Sequence, residues 1–359
     1  MPRPTEVLIS LSALRHNLRL VSRLAPTSRA WAVIKADAYG HGMEVVWRAL
    51  HDADGFAMVE FAQARRLREQ GWSGPILMLE GAFDAEDVHQ ALADRLSLVI
   101  HESRQIDWLS ACPDDAGFEV YLKLNSGMNR LGFQGAEFRS AFSRLQQIPA
   151  VRSITLMTHF ANADLAGGTD SAVELFERIT SGLPGARSLS NSAAILSLPH
   201  LHRDWVRPGI MLYGASPFAD RDASALGLRP VMSFRSRLIS RQRVAAGEAV
   251  GYGSTFVANQ DMDVGIVACG YADGYPRHAP TGTPVAIAGV RTRTLGRVSM
   301  DMLAVDLGPC PHARPGDEVE LWGRHVSVDE VASSAGTISY ELTCAIAPRV
   351  ARRTVDDGL

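Results

Sequence analysis

Lysine is scarce in this chain: of 36 basic residues only Lys35 and Lys123 are lysines, and the rest are arginines. For generic surface charge the two types are interchangeable. A guanidinium, however, stays protonated in proteins, whereas a primary amine can lose its proton when desolvated and bond covalently to a carbonyl carbon. The two retained amines therefore point to chemistry that arginine cannot do, the plain alternative being chance survival of two lysine codons in an arginine-biased chain. Lys35 lies in WAVIKADAYGHG and Lys123 in KLNSGMNRLGF, each at or next to the end of a short apolar run. Other polar residues collect at the ends of similar runs: His159 after SITLMT, Asn191 and Ser192 after ARSLS, and Arg207 just before Pro208 and Gly209. Singly, His159 reads equally well as a structural histidine and Ser192 as an ordinary helix cap. Together they converge on one kind of position. Ser192 opens the apolar segment AAILSL, so backbone N–H groups face whatever binds there, and Gly209 lets a second stretch of backbone come close. An anion, such as a phosphate, fits both.

These residues need elements to hold them. After a short apolar strand at Val7 to Ile9, residues Leu11, Leu14, Leu18, Val21 and Leu24 recur at three- and four-residue steps, the period of one helix face. Short apolar runs then predict buried strands at 31–34, 55–59, 75–79, 96–100, 118–124, 153–158, 186–190 and 204–207. Amphipathic segments such as Phe61 to Gln70 closed by Gly71, Asp84 to Asp94, and Asp170 to Ser181 separate most of them, with polar starts and glycine stops. Eight strands alternating with helices predict a (β/α)8 barrel of the TIM type, although a doubly wound sheet gives a similar local pattern. In a barrel the C-terminal strand ends form the active-site face, which is where both lysines fall. A reactive amine and a phosphate cradle on that face are the equipment for pyridoxal phosphate held as a Schiff base.

From about Val231 the texture changes to alternating strands such as SFRSRLISRQRV, with turn pairs such as Ala246-Gly247. The expectation is a barrel over 1–228 and a mainly β domain over 229–359, with the first strand, about 5–10, joining the second domain. A length of 359 residues suits two domains. A hydrophobic fraction of 46% with 36 basic and 39 acidic residues describes a globular chain without the basic stripe of a nucleic-acid binder, so a small polar ligand is the expected partner. No run is long enough for a signal h-region or a membrane span, and a cytoplasmic location is expected. The four cysteines, with no CxxC spacing, indicate neither a metal site nor a disulfide framework and read as reduced thiols.

At nine places the residues match a known family. AVIKADAYGHG at 32–42, KLNSGMNRLGF at 123–133, THFANAD at 158–164, NSAA at 191–194 and RPGIMLYG at 207–214 fall in the first part. GYGSTF at 251–256, GYADGYPR at 270–277, GRVSMDM at 296–302 and ISYELTC at 338–344 fall in the second. In that order they make the chain resemble bacterial alanine racemases along essentially its whole length. The resemblance implies a pyridoxal phosphate barrel, a C-terminal β domain, and a homodimer whose active sites borrow residues from the partner.

By the same resemblance, Lys35 is the Schiff-base lysine and one acid/base group, and Tyr252, arriving from the other subunit, is the opposite one. Inverting a stereocentre needs a proton removed from one face and returned to the other, so two bases are required. A tyrosine with its ordinary pKa near 10 is a poor base, and the family pattern puts His159 beside it and Arg207 beside the histidine. Arg207 also faces the cofactor's pyridine nitrogen; because it keeps its proton, the ring nitrogen stays unprotonated and the electron sink weak, which suits a racemase. Tyr39, Ser192, Gly209, Ile210 and Tyr340 match phosphate-binding positions. Arg130 and the backbone of Met300 receive the substrate carboxylate, and Lys123, as a carbamate, holds Arg130. Asp164, Tyr271, Arg277 and Arg297 resemble entrance residues. No metal is implied. Rival readings are an amino-acid racemase of broader specificity, a decarboxylase of the same plan, and a pyridoxal phosphate carrier that resembles the barrel alone.

Overall fold

Runs of Val, Ile, Leu, Met and Phe that are buried on both faces are the mark of parallel strands covered by helices. In the computed structural model, which describes residues 3–356, a first strand, β1 (Glu6–Ser10), precedes eight such strands. They are β2 (Arg29–Val33), β3 (Gly55–Met58), β4 (Ile76–Met78), β5 (Ser97–Ile100), β6 (Phe118–Lys123), β7 (Val151–Met157), β8 (Arg187–Ser188) and β9 (Trp205–Val206). Each pairs in parallel with the next from β2 to β8, and β9 returns to pair with β2. The Asp204 N–H donates to the Arg187 carbonyl at 3.2 Å and the Arg207 N–H to the Ser190 carbonyl at 2.9 Å, closing the ring between β8 and β9. Consecutive, circular strand order is that of a (β/α)8 barrel; a doubly wound sheet would reverse its order at a switch point.

Inside the ring the Trp31 ring stacks on Trp205 at 4.3 Å between centroids and donates from Nε1 to the Tyr121 hydroxyl at 3.0 Å. Gly55 is required beside it, because a Cβ there would lie 2.3 Å from the Trp31 ring. The covering helices follow from their sequences. Phe61, Ala64 and Leu67 bury one face of the helix Phe61–Glu69. Asp84 caps the helix Ala85–Ala93 by accepting the Asp87 N–H at 2.9 Å.

By contact the chain divides into two compact units: one of residues 18–36 and 50–212, which holds the ring, and one of the chain up to Asn17, 37–49 and from Tyr213 onward. In the second unit the strands β10 (Met232–Val244), β11 (Ala249–Val250), β12 (Phe256–Val257), β13 (Met262–Val267), β14 (Pro284–Ile287), β15 (Val290–Leu295), β16 (Leu303–Asp306), β17 (Glu318–Trp322) and β18 (Ala351–Val355) follow one another. Seven of these and β1 form a sheet in the order β13-β16-β15-β14-β17-β10-β1-β18, with β13 also pairing with β10, and β11 and β12 pair with each other. The first half of β10 pairs with β17 and the second half with β13, with an irregularity between Leu238 and Ser240 where it changes neighbour. β1 lies antiparallel to β10 and parallel to β18. Val244, Val250, Ala258, Val264, Leu295 and Ala304 form one core of this unit. No disulfide links the cysteines; Cys112, Cys269 and Cys310 are buried and Cys344 is exposed. Among the described residues no helix is long and apolar enough to cross a membrane.

Candidate active site

The ring unit carries a cluster of cations and one histidine at its C-terminal strand ends. Arg207, just beyond β9, is 4% exposed and donates to Ser188 Oγ at 2.6 Å, the Thr158 carbonyl at 2.7 Å, the Leu189 carbonyl at 3.0 Å and His159 Nδ1 at 3.3 Å. Burial pulls its pKa down to about 10, which leaves it protonated at neutral pH. A protonated guanidinium can only donate, so His159 Nδ1 must accept, and the remaining proton of the neutral ring sits on Nε2. Desolvation, then the charges of Arg207, Lys123, Arg130 and Lys35, hold His159 well below its ordinary value and keep it neutral.

Lys123 ends β6 and is 6% exposed. Burial, reinforced by Arg207, Arg130 and Lys35 and opposed by Glu80, pushes its pKa down to about 8. More of it is therefore neutral amine near neutral pH than for an ordinary lysine. Arg130 lies on a loop whose far end folds back onto Lys123. The Phe133 N–H donates to the Lys123 carbonyl and the Asn125 N–H to the Phe133 carbonyl, both at 2.9 Å, and Asn125 Oδ1 accepts the Gly127 and Asn129 N–H groups inside the loop. Gly132 permits this return, since a Cβ there would lie 2.7 to 2.9 Å from the backbone of 123–125. The Arg130 side chain itself is exposed.

Ser192 is not the cap of its helix. Asn191 caps Ser192–Ser197, its Oδ1 accepting the Ala194 N–H at 3.2 Å. Ser192 is thereby free to gather a second stretch of chain. Its Oγ accepts the Gly209 N–H at 2.9 Å and the Met211 N–H at 3.4 Å, drawing the turn that begins at Ile210 against the helix start. With both lone pairs engaged, its O–H remains as a donor.

Lys35 follows β2 and opens the turn Lys35–Tyr39. Ala36, Asp37, Ala38 and Tyr39 all have φ between 51° and 56°, so this single turn is left-handed. Each such non-glycine residue costs about 1–2 kcal/mol, and the conformation persists only where its surroundings over-determine it. Nothing in KADAY signals it. At the end of the turn the Tyr39 ring stacks on Tyr213 at 4.7 Å and stands 6.0 Å from Tyr340. Burial, then Tyr340 and Cys344, raise Tyr39, so its hydroxyl keeps its proton and can donate.

In the same unit Tyr271 and Met300 are brought together. The Tyr271 N–H donates to the Ser299 carbonyl and the Ala272 N–H to the Met300 carbonyl, both at 3.0 Å. Asp273, buried at 1% exposure, accepts the Gly270 N–H at 2.9 Å and Arg349 Nε at 2.8 Å, while Arg349 also donates to Asp301 at 2.7 Å. This clamp holds the two loops in register and presents Tyr271 and Met300, 38% and 53% exposed. Tyr252 is 72% exposed on a short turn between Gly251 and Gly253, beside Arg297. Asp164 and Arg277 are exposed side chains. Sequence reasoning missed Ser188, Thr158, Tyr213, Asp273 and Arg349; the first four are buried and Arg349 is exposed, and none stands in a local pattern that marks its role.

The family described as alanine racemase, N-terminal domain, matches residues 9–217, and that described as alanine racemase, C-terminal domain, matches 231–354. The chain belongs to the alanine racemase family. The catabolic alanine racemase of Salmonella typhimurium is 53% identical over 351 residues, covering 98% of this chain and 99% of that one. The alanine racemase of Polaromonas naphthalenivorans is also 53% identical, with the same coverage. Among solved alanine racemases, the biosynthetic one from Pseudomonas aeruginosa superposes with a TM-score of 0.95 at 50% identity, covering 98% of this chain and 99% of that one. That from Acinetobacter baumannii gives 0.94 at 41%, covering 98% and 100%. Relatives named catabolic and biosynthetic are thus similar to nearly the same degree.

Proposed function

We propose that this protein interconverts L- and D-alanine, with pyridoxal phosphate bound through Lys35, as a homodimer with shared sites. The observation that carries this reading is Arg207: a buried, protonated guanidinium at the position that family likeness assigns to the pyridine nitrogen, where decarboxylation would favour an acidic partner. The residues fit such a cofactor. Lys35 offers the amine; the hydroxyls of Tyr39, Tyr340 and Ser192 and the backbone N–H groups of Gly209 and Ile210 are donors of the kind a phosphate needs. When bound, the cofactor supplies an electron sink that acidifies the α-hydrogen of an amino acid.

Lys35 takes or returns that proton on one face, and Tyr252 of the partner subunit works on the other. Arg207 donating to Nδ1 leaves the His159 Nε2–H to donate to the Tyr252 oxygen, which favours the phenolate and makes tyrosine a usable base. Its 72% exposure in the single chain agrees with service to a partner. Arg130 and the Met300 backbone receive the substrate carboxylate. A carbamate on Lys123, which its depressed pKa favours by supplying neutral amine, turns repulsion of Arg130 into attraction. Asp164, Tyr271, Arg277 and Arg297 line the approach.

Chiral chromatography of products from a panel of L-amino acids tests the assignment. Racemisation confined to alanine is expected. Racemisation across the panel would favour the broader racemase, release of carbon dioxide the decarboxylase, and cofactor uptake without turnover the carrier.

A further inference from the structure

The left-handed turn at Ala36–Tyr39 must be held by something outside it, and the residue best placed to do so is His41. Its ring is buried, at 1% exposure, with Nδ1 at 2.9 Å from the Tyr39 carbonyl and 3.1 Å from the Ala38 carbonyl. Carbonyls only accept, so Nδ1 carries the proton and reaches two residues of the turn at once. The same ring lies against Tyr213 at 4.6 Å between centroids, and Tyr213 in turn stacks on Tyr39 at 4.7 Å. His41 therefore touches the turn through its backbone and, by way of Tyr213, through the ring at its end. Neighbouring contacts act in the same direction: the Gly42 N–H donates to the Asp37 carbonyl at 2.9 Å, the Met43 N–H to Asp37 Oδ1 at 2.8 Å, and Arg352 Nε to the Gly40 carbonyl at 3.2 Å.

The other ring nitrogen makes the case specific. Nε2 is buried and has no hydrogen-bond partner among the described residues. A residue needed here only to fill space and stack would be better as phenylalanine, which has no orphaned acceptor to bury. What the imidazole adds is one N–H aimed at two strained carbonyls. Burial, with Arg352 nearby, keeps the ring neutral, so that a single donor is retained.

We propose that His41 is a positioning residue whose Nδ1–H locks the left-handed turn, and that this lock sets the Lys35 amine at one end and the Tyr39 hydroxyl at the other for pyridoxal phosphate. The inference rests on the reading that Lys35 and Tyr39 hold that cofactor. It adds a residue that does not itself touch the ligand.

Three substitutions test it by rescue. His41→Asn places an amide N–H where Nδ1–H stands, His41→Gln reaches only toward Nε2, and His41→Phe keeps the ring without a donor. Circular dichroism confirms folding, and the dissociation constant for pyridoxal phosphate is read from its visible absorbance on the intact protein. The Gln and Phe variants should bind roughly tenfold more weakly, the scale of one to two hydrogen bonds, while Asn stays within about threefold of the unmutated protein. If Phe does not fold, the Asn and Gln pair decides. Equal binding by all the folded variants, or an Asn variant as weak as Gln, overturns the lock alone. Failure of the unmutated protein to take up the cofactor would instead overturn the reading on which it rests, and the lock with it.

Discussion

His41 also makes a thermodynamic prediction that needs no cofactor. Its pKa falls from the ordinary 6.5 to about 4 in the folded protein, chiefly through burial. Above pH 6.5 the ring is neutral in both folded and unfolded chains and contributes no pH dependence. Below it the unfolded chain takes the proton first, so stability falls as pH drops from 6.5 and levels off below about 4. The drop of 2.5 pH units, at about 1.36 kcal/mol each, is worth about 3 kcal/mol. His159, also held low, titrates in the same direction, so the wild-type curve alone cannot isolate His41. His41→Asn can, because asparagine keeps a donor and has nothing to titrate. Urea unfolding at constant ionic strength, stepped from about pH 7.5 to 4, should show the stability difference between wild type and variant shifting by about 3 kcal/mol in favour of the variant as pH falls. Parallel curves, with a constant difference, would refute the argument that His41 is buried as a neutral ring.

Four further outcomes follow from the site. Lys35→Ala should abolish the covalent cofactor linkage, and borohydride reduction with peptide mapping of the unmutated protein should label Lys35; a label on Lys123 would overturn the assignment. Carbon NMR with labelled bicarbonate should show a carbamate on Lys123, whereas a plain ammonium in a well-ordered site would remove the proposed support for Arg130. Arg349→Met should loosen the turn at 270–274 from the loop at 299–302, raising the KM for alanine more than it lowers kcat, with cofactor absorbance unchanged. Lys35→Ala and Tyr252→Phe subunits, each nearly inactive, should regain activity when refolded together in equal amounts, toward roughly a quarter of the sites under random pairing; mixed dimers without activity would refute sharing.

The sequence made some of this legible and hid the rest for physical reasons. Strands β2 to β9 lie where the apolar runs put them, because burial on both faces leaves few polar types to choose from. Lys35 and Lys123 stood out because an amine and a guanidinium differ in chemistry, not in charge. The left-handed turn was invisible: alanine, aspartate and tyrosine do not announce positive φ, and what imposes it includes His41, Tyr213 and Arg352, the last two far along the chain. Asn191 and Ser192 are adjacent cap-forming types, so their division of labour, one capping and one gathering the Gly209 and Met211 N–H groups, depends on a one-residue placement that pattern does not resolve. Arg207 was legible as a charge, but two of its partners are carbonyls, which no residue type advertises.

The central claim, racemisation of alanine by two bases on opposite faces, is tested most directly by following L-alanine and the intact protein in deuterated water at early times. Chiral separation with mass analysis reports both enantiomers at once. The account predicts that D-alanine forms carrying solvent deuterium at the α-carbon, while the remaining L-alanine keeps its hydrogen. D-alanine formed with the original hydrogen would mean that one base serves both faces, and L-alanine recovered without any D product would contradict the function itself.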